Sequence, residues 1–453
     1  MIQAASLAAW FRRRCVEPVD VWRSGSPRLR YEKSLERSQW LPASELLSRQ
    51  WNSLSRHLQA VATVNSFHRD RFATSGFDPS RPFTLQQFST LPILTKAEIR
   101  AAGTGLLSTG YETSNLMQFK TGGSTGKPLQ IWMTEELSER RNALARRHDR
   151  WTGWRPGEPI GALWGNPVSP DWKTRARRLL IQPLVVLDTM DVQQASARAF
   201  AQRWRRVRPT LLFGHAHSLF VLAQLAESWP DNPIRPKAVL STSMMLLAHE
   251  RAVIERVFRA PVFDRYGCEE VSLIGSECEQ HRGMHLNIEH LLIEFLDDSN
   301  RPVAPGETGN IIVTDLENLA MPLIRYRVED QGVPSERVCP CGRGLPLMEK
   351  VTGRVADFLV RSDGSRVAGI SLIENTLTKI PGIEQLQIVQ DSRQLLRLRV
   401  VAGDRFGTLS AAELVSYFQA LMGDQVTVQL ERVASIPPEP NGKYRFCISR
   451  VTD

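Results

Sequence analysis

The chain has 453 residues, of which 42% are hydrophobic and 23% charged, and its formal net charge is +9. This length and balance exclude a small single domain and an intrinsically disordered chain, and they are typical of a globular protein with two or three domains. No apolar run is long enough to span a bilayer, and no nucleic-acid recognition motif accompanies the basic charge, so we expect neither a membrane span nor a nucleic-acid partner.

The first hundred residues are predicted to be mainly helical. An apolar stretch at residues 2–11 precedes a basic cluster at residues 12–14, which is the reverse of the order in a secretory signal, so we expect a cytoplasmic protein. The pattern favours a short amphipathic helix packed on the body over a membrane-surface anchor. Further along, Thr95 followed by Glu98 is the capping-box pattern that begins a helix.

The glycine-rich segment at residues 119–128, Phe-Lys-Thr-Gly-Gly-Ser-Thr-Gly-Lys-Pro, is the most informative part of the sequence. Glycines let the backbone approach an anion, while hydroxyl and N–H groups donate and lysine adds charge, which is typical of a loop around a phosphate chain. A plain turn between strands is the alternative. A Walker loop is excluded because it would need a glycine at Thr121 and a hydroxyl residue at Pro128. Since Pro128 also disfavours helical geometry, we expect a loop that covers ATP phosphates without a helix beneath it.

Between residues 115 and 350, short apolar runs alternate with helical patterns, which predicts parallel strands joined by crossover helices. The predicted strands are at residues 160–164, 179–187, 210–213 and 238–240, and residues 310–315 begin a more β-rich portion.

The character of the sequence changes at about residue 354. Two alternating strand patterns, a helical pattern and a further strand follow at residues 385–389, 395–401, 411–422 and 426–430. They predict a compact α+β module of about 100 residues, a reasonable size for a separate domain. We therefore predict two domains, residues 1–352 and residues 353–453.

Three cysteines and a histidine have spacings that indicate a metal site: Cys278, His281, Cys339 and Cys341. A Cys₃His set commonly holds tetrahedral Zn²⁺, and four protein ligands leave no open position, so such a zinc would be structural. His285 and Cys268 are the substitutes if the register differs. Four unrelated residues are the alternative.

Residues 121–128 resemble the phosphate loop of adenylate-forming enzymes, the acyl-CoA synthetase superfamily, in the branch of phenylacetate–CoA ligases and capsule-biosynthesis proteins. Further matching segments occur in the family's order, at residues 91–96, 266–270, 321–327, 330, 339–343, 353–354 and 442–443. The resemblance covers roughly residues 40 to 450. It implies an α/β fold in which a large N-terminal adenylation domain with mixed sheets precedes a small, mobile α+β domain.

The resemblance also implies roles for the matched residues. Tyr266 stacks on adenine, Asp330 accepts hydrogen bonds from the ribose hydroxyls, and Arg354 holds the ribose or a phosphate. The full set that binds ATP is Thr121, Gly122, Gly123, Ser124, Thr125, Gly126, Lys127, Tyr266, Gly267, Asp330 and Arg354.

Three of the implied residues are catalytic: Lys443, Glu270 and Thr125. Glu270 binds Mg²⁺, which favours carboxylate ligands. Lys443 stabilises charge on the α-phosphate while a carboxylate displaces pyrophosphate, two anions that repel each other without cations nearby. The family delivers this lysine by rotating its C-terminal domain, with a hinge here near residues 355–357.

Three functions are consistent with this sequence. The first is an acid–CoA ligase for an aryl or similar small acid, with ATP, Mg²⁺ and CoA as cofactors. The second is an adenylating enzyme whose acceptor is an amine, a hydroxyl or a carrier-protein thiol, as in capsule or natural-product biosynthesis. The third is a non-catalytic scaffold, which the retained motif residues argue against. Homodimer formation is left open.

The family builds its acid pocket from the middle of the large domain, where residues 213–217 and 241–245 are the candidates. His215 and His217 are explained equally well as structural histidines or as substrate contacts.

Overall fold

The computed structural model describes residues 2–121, 129–164, 180–188, 192, 194–354, 358–362, 366–368, 376, 380–437 and 447–451. These residues form an α/β protein with one large mixed sheet and a separate small sheet that carries its own helix. The predicted fold class is confirmed.

The first hundred residues are helical, as predicted. Their helices are α1 (Ile2–Phe11), α2 (Glu17–Ser24), α3 (Arg28–Ser38), α4 (Ala43–Val64), α5 (Ser66–Thr74), α6 (Leu85–Phe88) and α7 (Lys96–Ala102), and a π-turn at Arg12–Val16 joins α1 to α2. Thr95 begins α7 with both hydrogen bonds of the capping box, which confirms that prediction. Among the described helices, none combines the length and the apolar character that crossing a bilayer requires.

Within the described residues, the large sheet has eleven strands, and its two halves differ in character. One half is parallel and consists of β3 (Ile160–Leu163), β4 (Leu184–Leu187), β5 (Leu211–His215), β6 (Ala238–Thr242) and β7 (Val262–Cys268). Its helices are α8 (Glu135–Trp151), α9 (Gln194–Val207), α10 (Ala216–Glu227) and α11 (Ala248–Phe258). A strand such as β3, Ile-Gly-Ala-Leu, is buried at every position and has no polar side chain, because helices cover parallel sheets on their faces.

The other half of the large sheet is antiparallel. It continues from β7 through β8 (Ser272–Glu277), β9 (Met284–Leu286), β10 (Leu291–Leu296), β11 (Gly309–Asp315), β12 (Tyr326–Ser335) and β13 (Leu347–Arg354). The strand order across the sheet is β10-β11-β12-β13-β9-β8-β7-β6-β5-β3-β4. A separate hairpin consists of β1 (Met117–Thr121) and β2 (Leu129–Met133).

The small domain follows β13. Its strands are β14 (Phe358–Val360), β15 (Arg366–Ala368), β16 (Ile383–Ser392), β17 (Leu395–Ala402), β18 (Thr427–Arg432) and β19 (Cys447–Ser449), and its helix is α12 (Thr408–Met422). Four of these strands form a sheet in the order β18-β17-β16-β19, and Leu398 of β17 packs with Leu414 and Phe418 of α12 in a hydrophobic core that Leu247 of the large domain also joins. We propose that the boundary between the two domains lies between residues 354 and 358, close to the predicted boundary between residues 352 and 353.

Candidate functional site

A cleft of about 360 Å³ lies at the carboxyl ends of the parallel strands. Its lining includes Trp164, which directly follows β3, Phe213 in β5, Thr242 at the end of β6 and Arg265 in β7. The strands β4 and β5 pair with opposite sides of β3, so the strand order reverses there. Open α/β sheets bind ligands at such a reversal, outside the carboxyl ends of the strands. The topology therefore marks this cleft as the candidate active site.

The glycine-rich segment connects the two strands of the β1–β2 hairpin, whose last described pair is Thr121 with Leu129. A strand therefore follows the segment, in place of the helix that follows a Walker loop. Phe119 and Met133, one residue from each strand, line the cleft. The predicted phosphate-binding residues lie outside the described residues: Gly122, Gly123, Ser124, Thr125, Gly126 and Lys127.

Glu270 lies buried in the turn between β7 and β8 and lines the cleft. Its Oε1 atom accepts a hydrogen bond of 3.0 Å from the Tyr326 hydroxyl and lies 3.9 Å from Lys96 Nζ. Arg141 fixes its backbone, since Nη2 donates to the Glu270 carbonyl over 3.1 Å and to Asp315 Oδ2 over 2.8 Å. Burial and the Glu270 carboxylate raise the pKa of Tyr326 well above its ordinary value, so this hydroxyl stays protonated and remains a donor.

Asp330 lines the same cleft and contacts Tyr266, although 64 residues separate the two in the chain. The Tyr266 hydroxyl donates a 2.8 Å hydrogen bond to Asp330 Oδ2. The backbone of Arg354 pairs with Asp330 in the register of β12 and β13. The Arg354 side chain lies outside the described part of the chain. The structure thus brings three of the predicted nucleotide-binding positions together.

Gly267 has a structural reason to be glycine. A Cβ atom there would lie 2.4 Å from the Ser272 carbonyl oxygen of the neighbouring strand β8. The next residue, Cys268, also lines the cleft, and burial together with Glu270 raises the pKa of its thiol well above the ordinary value. Cys268 is therefore a neutral thiol in this site.

Lys96 joins the site through tertiary pairing. The Leu94 N–H donates to the Arg325 carbonyl, which ties the segment before α7 to the start of β12. Lys96 Nζ consequently lies 2.9 Å from Glu329 Oε2. Glu329 has a φ of +70°, a left-handed conformation that is costly for a residue with a side chain. Such backbone strain is common at functional sites, and here it lies one residue from Asp330.

The far wall of the cleft is aromatic. The rings of Trp164 and Phe213 stack with centroids 5.2 Å apart and an interplanar angle of 20°. The Arg265 guanidinium carbon lies 5.1 Å from the Phe213 centroid, and its Nη1 donates to Asp149 Oδ1 over 2.9 Å. Burial raises the pKa of Asp149 although Arg265 opposes that shift. This wall offers an apolar, planar surface with one cation at its edge.

The two histidines for which both a structural role and a substrate contact were left open, His215 and His217, occupy different places. His215 is buried at the end of β5, with its ring 4.5 Å from that of Trp164. His217 Nδ1 lies 3.0 Å from Glu250 Oε1, which links α10 to α11. His215 thus supports the aromatic wall from behind, and His217 ties two helices together.

A Cys/His cluster lies on the antiparallel half of the sheet. It consists of Cys278, His285, Cys339 and Cys341, whose ligand atoms all lie within 4.8 Å of one another. The Cys278 and Cys339 sulfurs are 3.6 Å apart, close to the roughly 3.8 Å separating two sulfurs bound to tetrahedral zinc. His285 Nδ1 donates to the Leu345 carbonyl over 3.0 Å, so Nε2, which lies 3.3 Å from Cys341 Sγ, carries the lone pair a metal needs.

His281, the predicted ligand, lies outside the cluster, and His285, the predicted substitute, lies in it. The chain turns after Cys278, and His281 has a φ of +50°. Its Nδ1 atom consequently lies 3.2 Å from Glu277 Oε2 and its ring packs on Phe263. His285 reaches the cysteines because it pairs with Leu347 of β13, which follows Cys341 in the chain.

Several site residues were not assigned roles by the sequence analysis: Lys96, Arg141, Trp164, Arg265, Tyr326 and Glu329. Lys96 and Tyr326 lie inside segments that match the family, and this match was the sequence signal that pointed to both residues. The predicted catalytic residue Lys443 lies outside the described residues.

Comparison with known proteins gives a consistent set of relatives. Residues 359–450 match the family model of the CapK C-terminal domain. A phenylacetate–coenzyme A ligase of Thermus thermophilus is 25% identical over 416 residues, covering 85% of this chain and 83% of that protein. Protein CapK of Staphylococcus aureus is 23% identical over 385 residues, covering 82% of each.

Among solved structures, 2-hydroxyisobutyryl-CoA ligase in the postadenylation state, in complex with R3-HIB-AMP, superposes with a TM-score of 0.71. It is 22% identical, and the match covers 91% of both chains. At this identity the likeness establishes the fold.

Proposed function

We propose that this chain, a relative of the phenylacetate–CoA ligases and CapK in the adenylate-forming superfamily, activates a carboxylic acid with ATP as an acyl-AMP and then transfers the acyl group to CoA. The observation that carries the proposal is the placement of Glu270 and Asp330 on one cleft at the topological switch point of the sheet, with Tyr266 hydrogen-bonded to Asp330. The curated relatives named as phenylacetate–CoA ligases support the reaction.

In the proposed reaction the acid's carboxylate attacks the α-phosphorus of ATP and pyrophosphate leaves. Asp330 holds the ribose hydroxyls, and the Tyr266 hydroxyl fixes the orientation of this carboxylate. Glu270 is the ligand for Mg²⁺, which would neutralise phosphate charge when bound. Lys443 and the loop residues from Thr121 to Lys127, with Thr125 as a donor to the phosphates, supply the remaining positive and polar contacts.

We propose an aryl or similar flat acid as the substrate. The stacked rings of Trp164 and Phe213 form the wall at the carboxyl ends of β3 and β5, and an aromatic acid would extend this stack. Arg265 lies at the edge of the same wall and pairs with Asp149, so it can steer the incoming carboxylate without remaining an uncompensated buried charge.

A second candidate retains adenylation but changes the acceptor to an amine, a hydroxyl or a carrier-protein thiol. The match of residues 359–450 to the CapK C-terminal domain and the relative named protein CapK support it, because neither name specifies a CoA ligase. Product analysis separates the two candidates.

We also propose a structural Zn²⁺ held by Cys278, His285, Cys339 and Cys341. The sulfur spacing and the His285 tautomer fit a tetrahedral ion. Four protein ligands close the coordination sphere, so the ion would join β9 to the segment before β13 and take no part in the reaction.

The test is ATP–pyrophosphate exchange over a panel of carboxylic acids. We expect acid-dependent exchange that is strongest with aromatic acids, and we expect Lys443→Ala to lower it roughly a hundredfold, the usual cost of one transition-state charge contact. Lys350→Ala, at an exposed lysine of β13, is the matched control and should leave exchange unchanged.

Adding CoA to a productive acid and detecting the thioester by mass then tests the acceptor. ATP binding without exchange for any acid would contradict the proposal. Exchange without a thioester would favour the second candidate.

A further inference from the structure

The helical segment at residues 2–24 leaves an apolar face uncovered. The side chains of Leu7, Trp10, Phe11, Val19 and Trp22 are 65%, 50%, 55%, 55% and 80% exposed. The first helix, α1, contains no charged residue, and a helix that is apolar all round is normally buried. Exposed apolar side chains gathered on one segment indicate an interaction surface.

The π-turn between α1 and α2 sets which residues face outward. In an uninterrupted α-helix, Trp10 and Val21 would share a face, since eleven residues make about three turns. Instead Trp10 is half exposed while Val21 is buried, because the Glu17 N–H bonds to the Arg12 carbonyl and the wider turn rotates α2. The buried residues of the segment, including Ala9, thus face the protein, and the exposed ones lie on the solvent side.

The buried side of the segment is fixed to the body, in line with the sequence expectation. Gly157 has no side chain and lets the α1 backbone approach, since a Cβ atom there would lie 2.6 Å from the Ala9 carbonyl oxygen. Glu17 lies 2.6 Å from Arg146 of α8 and 3.9 Å from Arg28 of α3. The apolar face is therefore held rigidly on the surface.

The charged residues around this face indicate which kind of partner it binds. Arg13, Arg14 and Arg23 belong to the same segment, and residues 1–40 contain eight Lys or Arg against four Asp or Glu. In a two-fold interface with a second copy, the same patch would meet itself and these arginines would face one another. An anionic surface, in contrast, complements them.

We propose that the segment at residues 2–24 binds the surface of a bilayer that contains anionic lipids. The indole, phenyl and leucine side chains enter the boundary between headgroups and acyl chains, where Trp is favoured. Arg13, Arg14 and Arg23 contact the lipid phosphates. The whole protein stays peripheral, with its cleft in water.

The test is co-sedimentation of the full chain with vesicles of phosphatidylcholine alone or mixed with phosphatidylglycerol. We expect binding to the mixed vesicles only, weakened by salt. The pair Arg13→Gln and Arg14→Gln should lower partitioning by roughly fivefold for each lost charge. Arg12 is left unchanged because it donates to the Gly157 carbonyl.

The apolar contribution is tested with the pair Trp10→Ser and Trp22→Ser, which should lower partitioning by at least about tenfold. The matched control is the pair Leu47→Ser and Leu85→Ser, two leucines of α4 and α6 with 50% and 52% exposure. The control should bind as the parent does.

Two results would overturn the proposal. One is equal sedimentation of the parent chain with neutral and anionic vesicles, or none with either, an outcome that needs no variant to fold. The other is a dimer in analytical ultracentrifugation that the tryptophan pair converts to a monomer, which would show that a second copy covers the face.

Discussion

At the scale of single residues, the two carboxylates of the cleft have different surroundings that fit different tasks. Glu270 is buried beside a cation, Lys96, and accepts from Tyr326. Asp330 accepts a hydrogen bond from the hydroxyl of Tyr266, a residue of β7. We propose that Glu270 serves the phosphate and metal side of the nucleotide and that Asp330 serves the ribose.

This assignment makes Asp330 the more informative substitution. Asp330→Asn keeps the size of the side chain and an acceptor for Tyr266 but removes the charge from the hydrogen bonds to ribose. Bonds to charged groups are worth about 1.5–3 kcal/mol, so the KM for ATP should rise roughly tenfold to a hundredfold in steady-state kinetics. Asp78→Asn, in an exposed loop, is the control. An unchanged KM for ATP would remove Asp330 from the nucleotide site.

Part of the site could be predicted from the resemblance to the adenylate-forming family. The matched segment at residues 266–270 and the matched residue Asp330 indicated the nucleotide site, and in the structure Gly267, Glu270 and Asp330 line one cleft. The contact of Lys96 with Glu329 could not be read, since it depends on the pairing of Leu94 with the start of β12, more than two hundred residues away. Arg265 and Trp164 lie outside every matched segment, so the resemblance indicated neither residue.

At the scale of elements, the strands of the parallel half were predictable because buried apolar runs have a clear pattern. The prediction at residues 179–187 was too long, and the strand occupies only Leu184–Leu187. Pro183 precedes it, and proline restricts the residue before it and supplies no N–H for a ladder. The antiparallel half was less readable, because a strand such as β12 contains charged residues and alternates buried with partly buried positions, so its sequence has no continuous apolar run.

The metal cluster shows the same dependence on pairing. Spacing in the sequence favours His281, whereas the β9–β13 pairing brings His285 to the cysteines. We expect His285→Ala to lose bound zinc, from about one ion per chain to almost none, and to melt at a lower temperature.

His281→Ala is the matched control for that experiment and should keep its zinc, because the His281 ring packs on Phe263 outside the cluster. Metal analysis of the purified parent chain and of the two variants tests this prediction. Equal metal content in the two variants, or none in the parent, would contradict the proposed site.

At the scale of the whole molecule, the topology explains why distant motifs meet. The parallel half reverses its strand order at β3, and the antiparallel half brings β12 and β13 around to the same edge. Tyr266 ends the first half and Asp330 lies in the second, so the proposed nucleotide site spans the junction of the two. The order of the matched motifs along the sequence indicated the family, whereas locating the cleft required the order of the strands in the sheet.

The most direct measurement is a crystal structure of the chain with ATP and a productive acid. We predict a nucleotide whose ribose hydroxyls lie within hydrogen-bond distance of the Asp330 carboxylate, with its phosphates beneath the β1–β2 connection and near Glu270. A nucleotide bound elsewhere on the protein, with the cleft between β3 and β7 containing only solvent, would contradict the account.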